Sequence, residues 1–236
     1  PFTFQAFFCT NLFKMQLLGL SNRNTSPRSR PAPKNDPPKE SVLEYPRDNV
    51  EVSRNSRPVV LLHGTLVEKD GIAAYKDYAL RTGHPVNHRT YQSITKGDRI
   101  EESTELASRQ VNFSRAEIAR SNVKTMSAMD RSELKKALSI DGNLYGAPDP
   151  EADRVLDEAP ALIEEIGELL SQPTEEIAKS LSGQLKQLES RFAERLVKNG
   201  MDEKKSQAVS RELVDTVAPR AIVVGHSAGG YVAYTL

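Results

Sequence analysis

The stretch Ala221-Ile222-Val223-Val224-Gly225-His226-Ser227-Ala228-Gly229-Gly230-Tyr231-Val232-Ala233-Tyr234-Thr235-Leu236 decides how the chain is read. Its apolar opening predicts a strand buried on both faces. Gly225 to Gly230 then reads as a tight turn, and Tyr231 onward is compatible with a helix. A serine therefore stands at the tip of a strand, turn, helix corner. The constraint at such a corner is steric: the turn holds the serine in a strained backbone conformation, and the flanking positions must lack side chains that would strike the neighbouring strand and helix. Gly225 and Gly229 leave that room. The Ser227 hydroxyl would be lifted above the sheet edge, into the space faced by backbone N–H groups at the start of the helix.

Upstream, Arg57-Pro58-Val59-Val60-Leu61-Leu62-His63-Gly64-Thr65 repeats the theme. Four consecutive apolar residues between Pro58 and the His63-Gly64 turn predict a central strand of a parallel sheet. A short helical stretch around Ile72 to Arg81 follows, ended by Thr82-Gly83. Pro85-Val86-Asn87-His88-Arg89-Thr90-Tyr91 then reads as a second strand, and Val50-Glu51-Val52 as a shorter strand-like piece. Strand, helix, strand in this order is a βαβ unit, so the predicted class is α/β, a parallel sheet flanked by helices.

From His63 to Ser227 is 164 residues, where a compact helix-strand-helix passage needs on the order of 70. The extra length is helical by pattern. Ile177, Leu181, Leu185, Leu188, Phe192 and Leu196 step by three or four along one face, with Thr174 as the expected cap and Asn199-Gly200 as the end. Leu162, Ile163, Ile166, Leu169 and Leu170 mark an earlier helix, with Pro160 near its first turn. Asp130 with Glu133, and Ser114 with Glu117, have capping-box spacing and predict two more helix starts. Asp202 caps a helix through Val209, Leu213 and Val217, which Pro219 stops. Asp141-Gly142-Asn143 and Pro148-Asp149-Pro150 read as turns.

Composition narrows the classes. The 236 residues carry 32 Lys and Arg against 32 Asp and Glu, a balance that argues against a chain built as a whole to coat nucleic acid or an anionic membrane. A single cysteine, Cys9, excludes an internal disulfide framework and a cysteine-based zinc site. The apolar first twenty residues are interrupted by Asn11, Lys14 and Gln16, short of what a spanning helix needs, and they lack the layout of a signal peptide. Ser21 to Glu40 contains five prolines and no Val, Ile, Leu, Met or aromatic residue, so it reads as an extended linker with nothing to bury. No P-loop, dinucleotide fingerprint or calcium loop is present, and no cofactor or metal is expected.

The paired segments Leu61-Leu62-His63-Gly64-Thr65 and Gly225-His226-Ser227-Ala228-Gly229-Gly230, with the Gly83-His84-Pro85-Val86 approach to the second strand, resemble the α/β-hydrolase superfamily, in its lipase and esterase branch. The resemblance covers about a third of the chain. It implies that Ser227 is the nucleophile, attacking an ester carbonyl to form an acyl-enzyme. It implies that the backbone N–H groups of Ala228 and Thr65 form the oxyanion hole, with His63, Gly64, Gly225, His226 and Gly229 in support. In this family the acid and the histidine follow the serine, so His63, His84, His88 and His226 are not expected to be the base. Only nine residues follow Ser227, with no Asp, Glu or His among them. The expectation is therefore a fragment of a longer protein, lacking the last strands, the catalytic acid and the base, and inactive or nearly so alone, with its nucleophile strand at an open sheet edge.

The expected organisation is a disordered or weakly structured segment over 1–56, the first part of the hydrolase core over 57–100, a helical insertion over 101–200 that could act as a lid or cap, and the nucleophile-strand part over 201–236. The expected partner is a small-molecule or lipid ester, with no nucleic acid and no transmembrane segment. The alternative is a non-catalytic interaction protein in which helices 151–217 bind a protein partner, through the Ile177 to Leu196 stripe for example, and the sheet is scaffold.

Overall fold

Continuous apolar sequence is what a strand covered on both faces requires, and Val59–Leu62 (β2) is buried at every position. A computed structural model of the protein describes residues 43–46, 56–62, 72–87, 100–140 and 150–236, all within the compact unit Pro37–Leu236. β2 lies between β3 (Val86–Asn87) and β4 (Ile222–Gly225), parallel to both. The crossover from β2 to β3 contains α1 (Ala73–Arg81), which ends where the Thr82 hydroxyl turns back onto the carbonyls of Tyr78 and Ala79. Ser56 and Gly83 are tied by a buried hydrogen bond of 2.8 Å, which fixes the start of β2 against the end of α1.

The alternation of side chains along β2 divides the sheet between two layers. Val59 and Leu61 pack with Ile72, Ala79 and Val86 on the α1 side. Val60 and Leu62 pack with Ala107 of α2 (Ile100–Met126) and Val232 of α7 (Ala228–Thr235) on the other. A sheet with helices on both faces is an α/β arrangement. It is mixed rather than parallel throughout, because β1 (Leu43–Glu44) joins outside β3 and runs antiparallel to it, giving the order β1-β3-β2-β4. Two residues are too few for a periodicity signal, so β1 escaped the sequence, which assigned 1–56 no firm element. Its anchors are the buried Leu43 and the Glu44–Lys76 ion pair at 2.5 Å.

The larger core is helical. α2, α3 (Arg131–Ala137), α4 (Pro150–Leu170), α5 (Thr174–Lys198) and α6 (Glu203–Val217) enclose the Ile177, Leu181, Leu185, Leu188, Phe192 and Leu196 stripe completely. α2 and α5 run one way and α4 and α6 the other, as shown by the contacts of Asn112 with Ala178, of Gly167 with Val123 and of Asn122 with Val217. Helix α2 belongs to both cores: Ala107 and Val111 lie on the sheet, Ala116, Ala119 and Met126 in the bundle. The cores therefore do not part at 101 and 200, and α6 lies with the bundle.

Several local expectations need correction. Ser114 does not start a helix; it lies inside α2, buried, donating to the Gln110 carbonyl and accepting from Asn87 Nδ2 at 2.9 Å. Thr174 is the first helical residue and Pro173 the cap of α5. Pro160 is interior to α4, which begins ten residues earlier at Pro150, and it lies on the exposed face, where its ring avoids the core. β4 is not buried on both faces: Ile222 is exposed and the rest half-buried, since β2 is its only strand neighbour among the described residues. The apolar stripe of α5 is covered within the chain, so it offers no face to a partner helix. The capping box of Asp130 and Glu133 and the Asp202 cap form as read. No helix among the described residues is long and apolar enough to cross a membrane. The 1–40 stretch, Val50-Glu51-Val52, His88 to Tyr91 and the Asp141-Gly142-Asn143 and Pro148-Asp149 turns lie outside the described residues.

Candidate active site

β2 and β4 end level with each other. Their register runs from Val59 opposite Ile222 to Leu62 opposite Gly225, and it extends one bond further, with the His226 N–H donating to the Leu62 carbonyl at 2.9 Å. The chain then reverses within one residue. Ser227 has φ 56° and ψ −124°, and α7 begins at Ala228. The Gly229 N–H bonds to the His226 carbonyl at 3.0 Å and the Gly230 N–H to the Ser227 carbonyl at 2.9 Å, closing the turn onto the helix. Among the described residues Ser139 is the other non-glycine with positive φ. It stands just after the end of α3, a common place for that conformation. Ser227 stands between a strand and a helix as the N-cap of α7, without a side-chain cap bond, a position that ordinarily has extended backbone rather than positive φ.

The glycines before and after the serine are demanded by distance. A Cβ at Gly225 would lie 2.2 Å from the Gly229 carbonyl oxygen and 2.6 Å from the Gly230 Cα, both backbone atoms that cannot step aside. The sequence assigned the room to Gly225 and Gly229; the doubled glycine at 229 and 230 was the available signal that the second also bounds this contact. Val232, one turn into α7, is buried on Leu62 and Val60 and pins the helix to the sheet.

The corner is open to solvent on its chemical side. Ser227 is exposed, and its hydroxyl has no hydrogen-bond partner among the described residues. The Ala228 N–H, first of α7, meets no backbone acceptor among the described residues and lies at the positive end of the helix dipole. An unpaired donor beside an exposed hydroxyl can stabilise negative charge forming on a carbonyl oxygen at that hydroxyl. The Nδ1 of His226 is buried and has no hydrogen-bond partner among the described residues. His84 lies at the far end of the sheet, its Nδ1 3.0 Å from the carbonyl of Arg57 ahead of β2, so it is remote from Ser227. His63, Gly64 and Thr65 lie outside the described residues. What the described chain brings together is thus Gly225, His226, Ser227, Ala228 and Gly229 at the end of β4, with Leu62, the residue before His63, hydrogen-bonded to them.

The helical body meets the sheet at the opposite end. Arg115 of α2 reaches the carbonyls of Ala218 and Pro219, just ahead of β4, whereas Ser227 follows its last residue. A shallow groove of about 610 Å³ on α5, lined by Gly183, Lys186, Gln187, Ser190 and Arg191, belongs to that body and is not part of the corner. No protein-family model, curated protein or solved structure matches the chain.

Proposed function

We propose that Ser227 is the nucleophile of a serine hydrolase with an α/β-hydrolase fold, lipase- or esterase-like, acting on a carboxylic ester. The observation that carries the reading is the positive φ of an exposed serine at a strand-to-helix corner whose flanking glycine cannot be replaced without a backbone collision. Strain of this kind costs of order 1–3 kcal/mol and persists where function keeps it. Ser227 Oγ attacks the ester carbonyl as a general base takes its proton, and the alcohol leaves with a proton returned from that base. Water then attacks the acyl-enzyme by the same route and releases the carboxylic acid. The Ala228 N–H and the Thr65 N–H receive the negative charge of each tetrahedral intermediate. The bond between His226 and Leu62 supports the second donor, because Thr65 is tethered only three residues from Leu62. No His or carboxylate bonds to Ser227 among the described residues, and no base is assigned from among them. A lid is not part of the proposal: α6 reaches the sheet at the start of β4, whereas Ser227 follows the end of that strand.

Hydrolysis of nitrophenyl esters of graded acyl length by the full-length protein tests the reading. Turnover is expected to vanish in Ser227→Ala, and to fall about 10²- to 10³-fold in Thr65→Pro, which removes one oxyanion donor. Turnover unchanged in Ser227→Ala would assign the activity to another group.

A further inference from the structure

The last carbonyls of α6 are held by side chains of α2. Asn122 Nδ2 donates to the Val217 carbonyl at 3.0 Å and to that of Thr216 at 3.4 Å. One step further along the chain, Arg115 Nη2 donates to the Ala218 carbonyl at 3.0 Å and Nε to the Pro219 carbonyl at 3.3 Å. The third arm of the guanidinium, Nη1, donates to Ser182 Oγ at 3.2 Å. Ser182 in turn donates to Asn112 Oδ1 at 2.6 Å, and Asn112 Nδ2 to the Ala178 carbonyl at 2.9 Å, so the fork is braced against α5.

Arg115 is buried and makes no ion pair among the described residues; the nearby Asp215 is engaged by Arg220 at 2.9 Å. Burial, the larger effect, pulls the guanidinium below its usual range, and the charge of Asp215 opposes it. A cation kept in such a place needs compensation, which here comes from carbonyl oxygens and the negative end of the α6 dipole. Asn122 is placed to finish α6. The two carbonyls held by Arg115 belong to the joint between α6 and β4, just ahead of Ile222, whose N–H bonds to the Pro58 carbonyl at 2.8 Å. Among the described residues β4 has a strand on one side only, so its position depends on β2 along its length and on this joint at its start.

We propose that Arg115 is a positioning residue for the Ser227 corner, setting through the Ala218 and Pro219 carbonyls where β4 begins and hence where Ser227 stands against the end of β2. Its catalytic consequence rests on Ser227 being the nucleophile; its structural consequence does not. The test on the full-length protein is hydrogen exchange over residues 222–230 together with the rate of labelling by a fluorophosphonate, in Arg115→Met, Arg115→Lys and Asn122→Ala.

In Arg115→Met, exchange at the corner amides is expected to rise about tenfold or more, and labelling to slow by about tenfold or more, since small misplacements of a reacting group carry large rate penalties. Arg115→Lys keeps a charge and loses the fork, so it recovers part of both. Asn122→Ala loosens α6 upstream of the joint and leaves both readouts near wild type. Wild-type exchange in Arg115→Met, or equal effects from Asn122→Ala, would overturn the positioning role. A wild-type protein that does not label, with a corner that still loosens in Arg115→Met, would refute the nucleophile and uphold the positioning.

Discussion

Ser227 is held at φ 56° by the chain on either side of it, and glycine would hold that conformation with less strain. Ser227→Gly is therefore expected to raise stability by about 1 kcal/mol in urea titration while ending reaction at this position; a destabilised variant would mean that the serine is not strained. Gly225→Ala has the opposite sign. Its Cβ meets backbone at 2.2 Å, and a loss of about 3 kcal/mol or more is expected in the same titration. Tyr45 gives a pH signature. Its phenol, half-exposed, is pushed above its usual value, first by burial and second by the charge of Glu117. A folded pKa above the unfolded one means that the protonated form stabilises the fold below about pH 10 and that this contribution is lost as pH rises further. Tyr45→Phe should flatten the alkaline fall of the unfolding midpoint; an unchanged slope would place the effect elsewhere. At this scale the sequence was informative at the corner, where glycines and serine have few alternative uses, and silent about Arg115, whose partners are carbonyls that no residue pattern announces.

Helices and strands were legible where apolar spacing alone specified them. β2 and the six-residue stripe of α5 are buried at every position read as core. α2 was not legible as one helix of 27 residues, because Asn112, Ser114 and Arg115 occupy buried positions with polar partners and break the apolar stripe. The same Ser114 imitates a cap. β4 shows the converse: its composition is that of a covered strand, yet burial also depends on how many neighbours the sheet supplies. Two substitutions test the element readings. Asp130→Ala removes a capping box and should cost about 1 kcal/mol. Gly183→Ala, at an exposed position inside α5 where a Cβ meets nothing within 4 Å, should gain about 1 kcal/mol. Equal and unchanged midpoints for both would contradict the assigned helix positions.

Among the described residues there are two cores joined along α2, one on the two faces of the sheet and one within the bundle. The shared helix and the Arg115 joint predict that they unfold together. Phe192→Ala, deep in the bundle, should cost about 3–5 kcal/mol, and should lower amide protection in β2 by as much as in α5; protection retained in β2 would show two independent units. Under the proposed function, reaction is expected at the sheet end that carries the exposed serine. The most direct measurement is mass-spectrometric mapping of the full-length protein after treatment with a fluorophosphonate, in which the serine oxygen displaces fluoride from phosphorus. The account predicts a single adduct, on the peptide containing Ser227, absent from Ser227→Ala. A folded wild-type protein without an adduct, or an adduct that persists in Ser227→Ala, would contradict it.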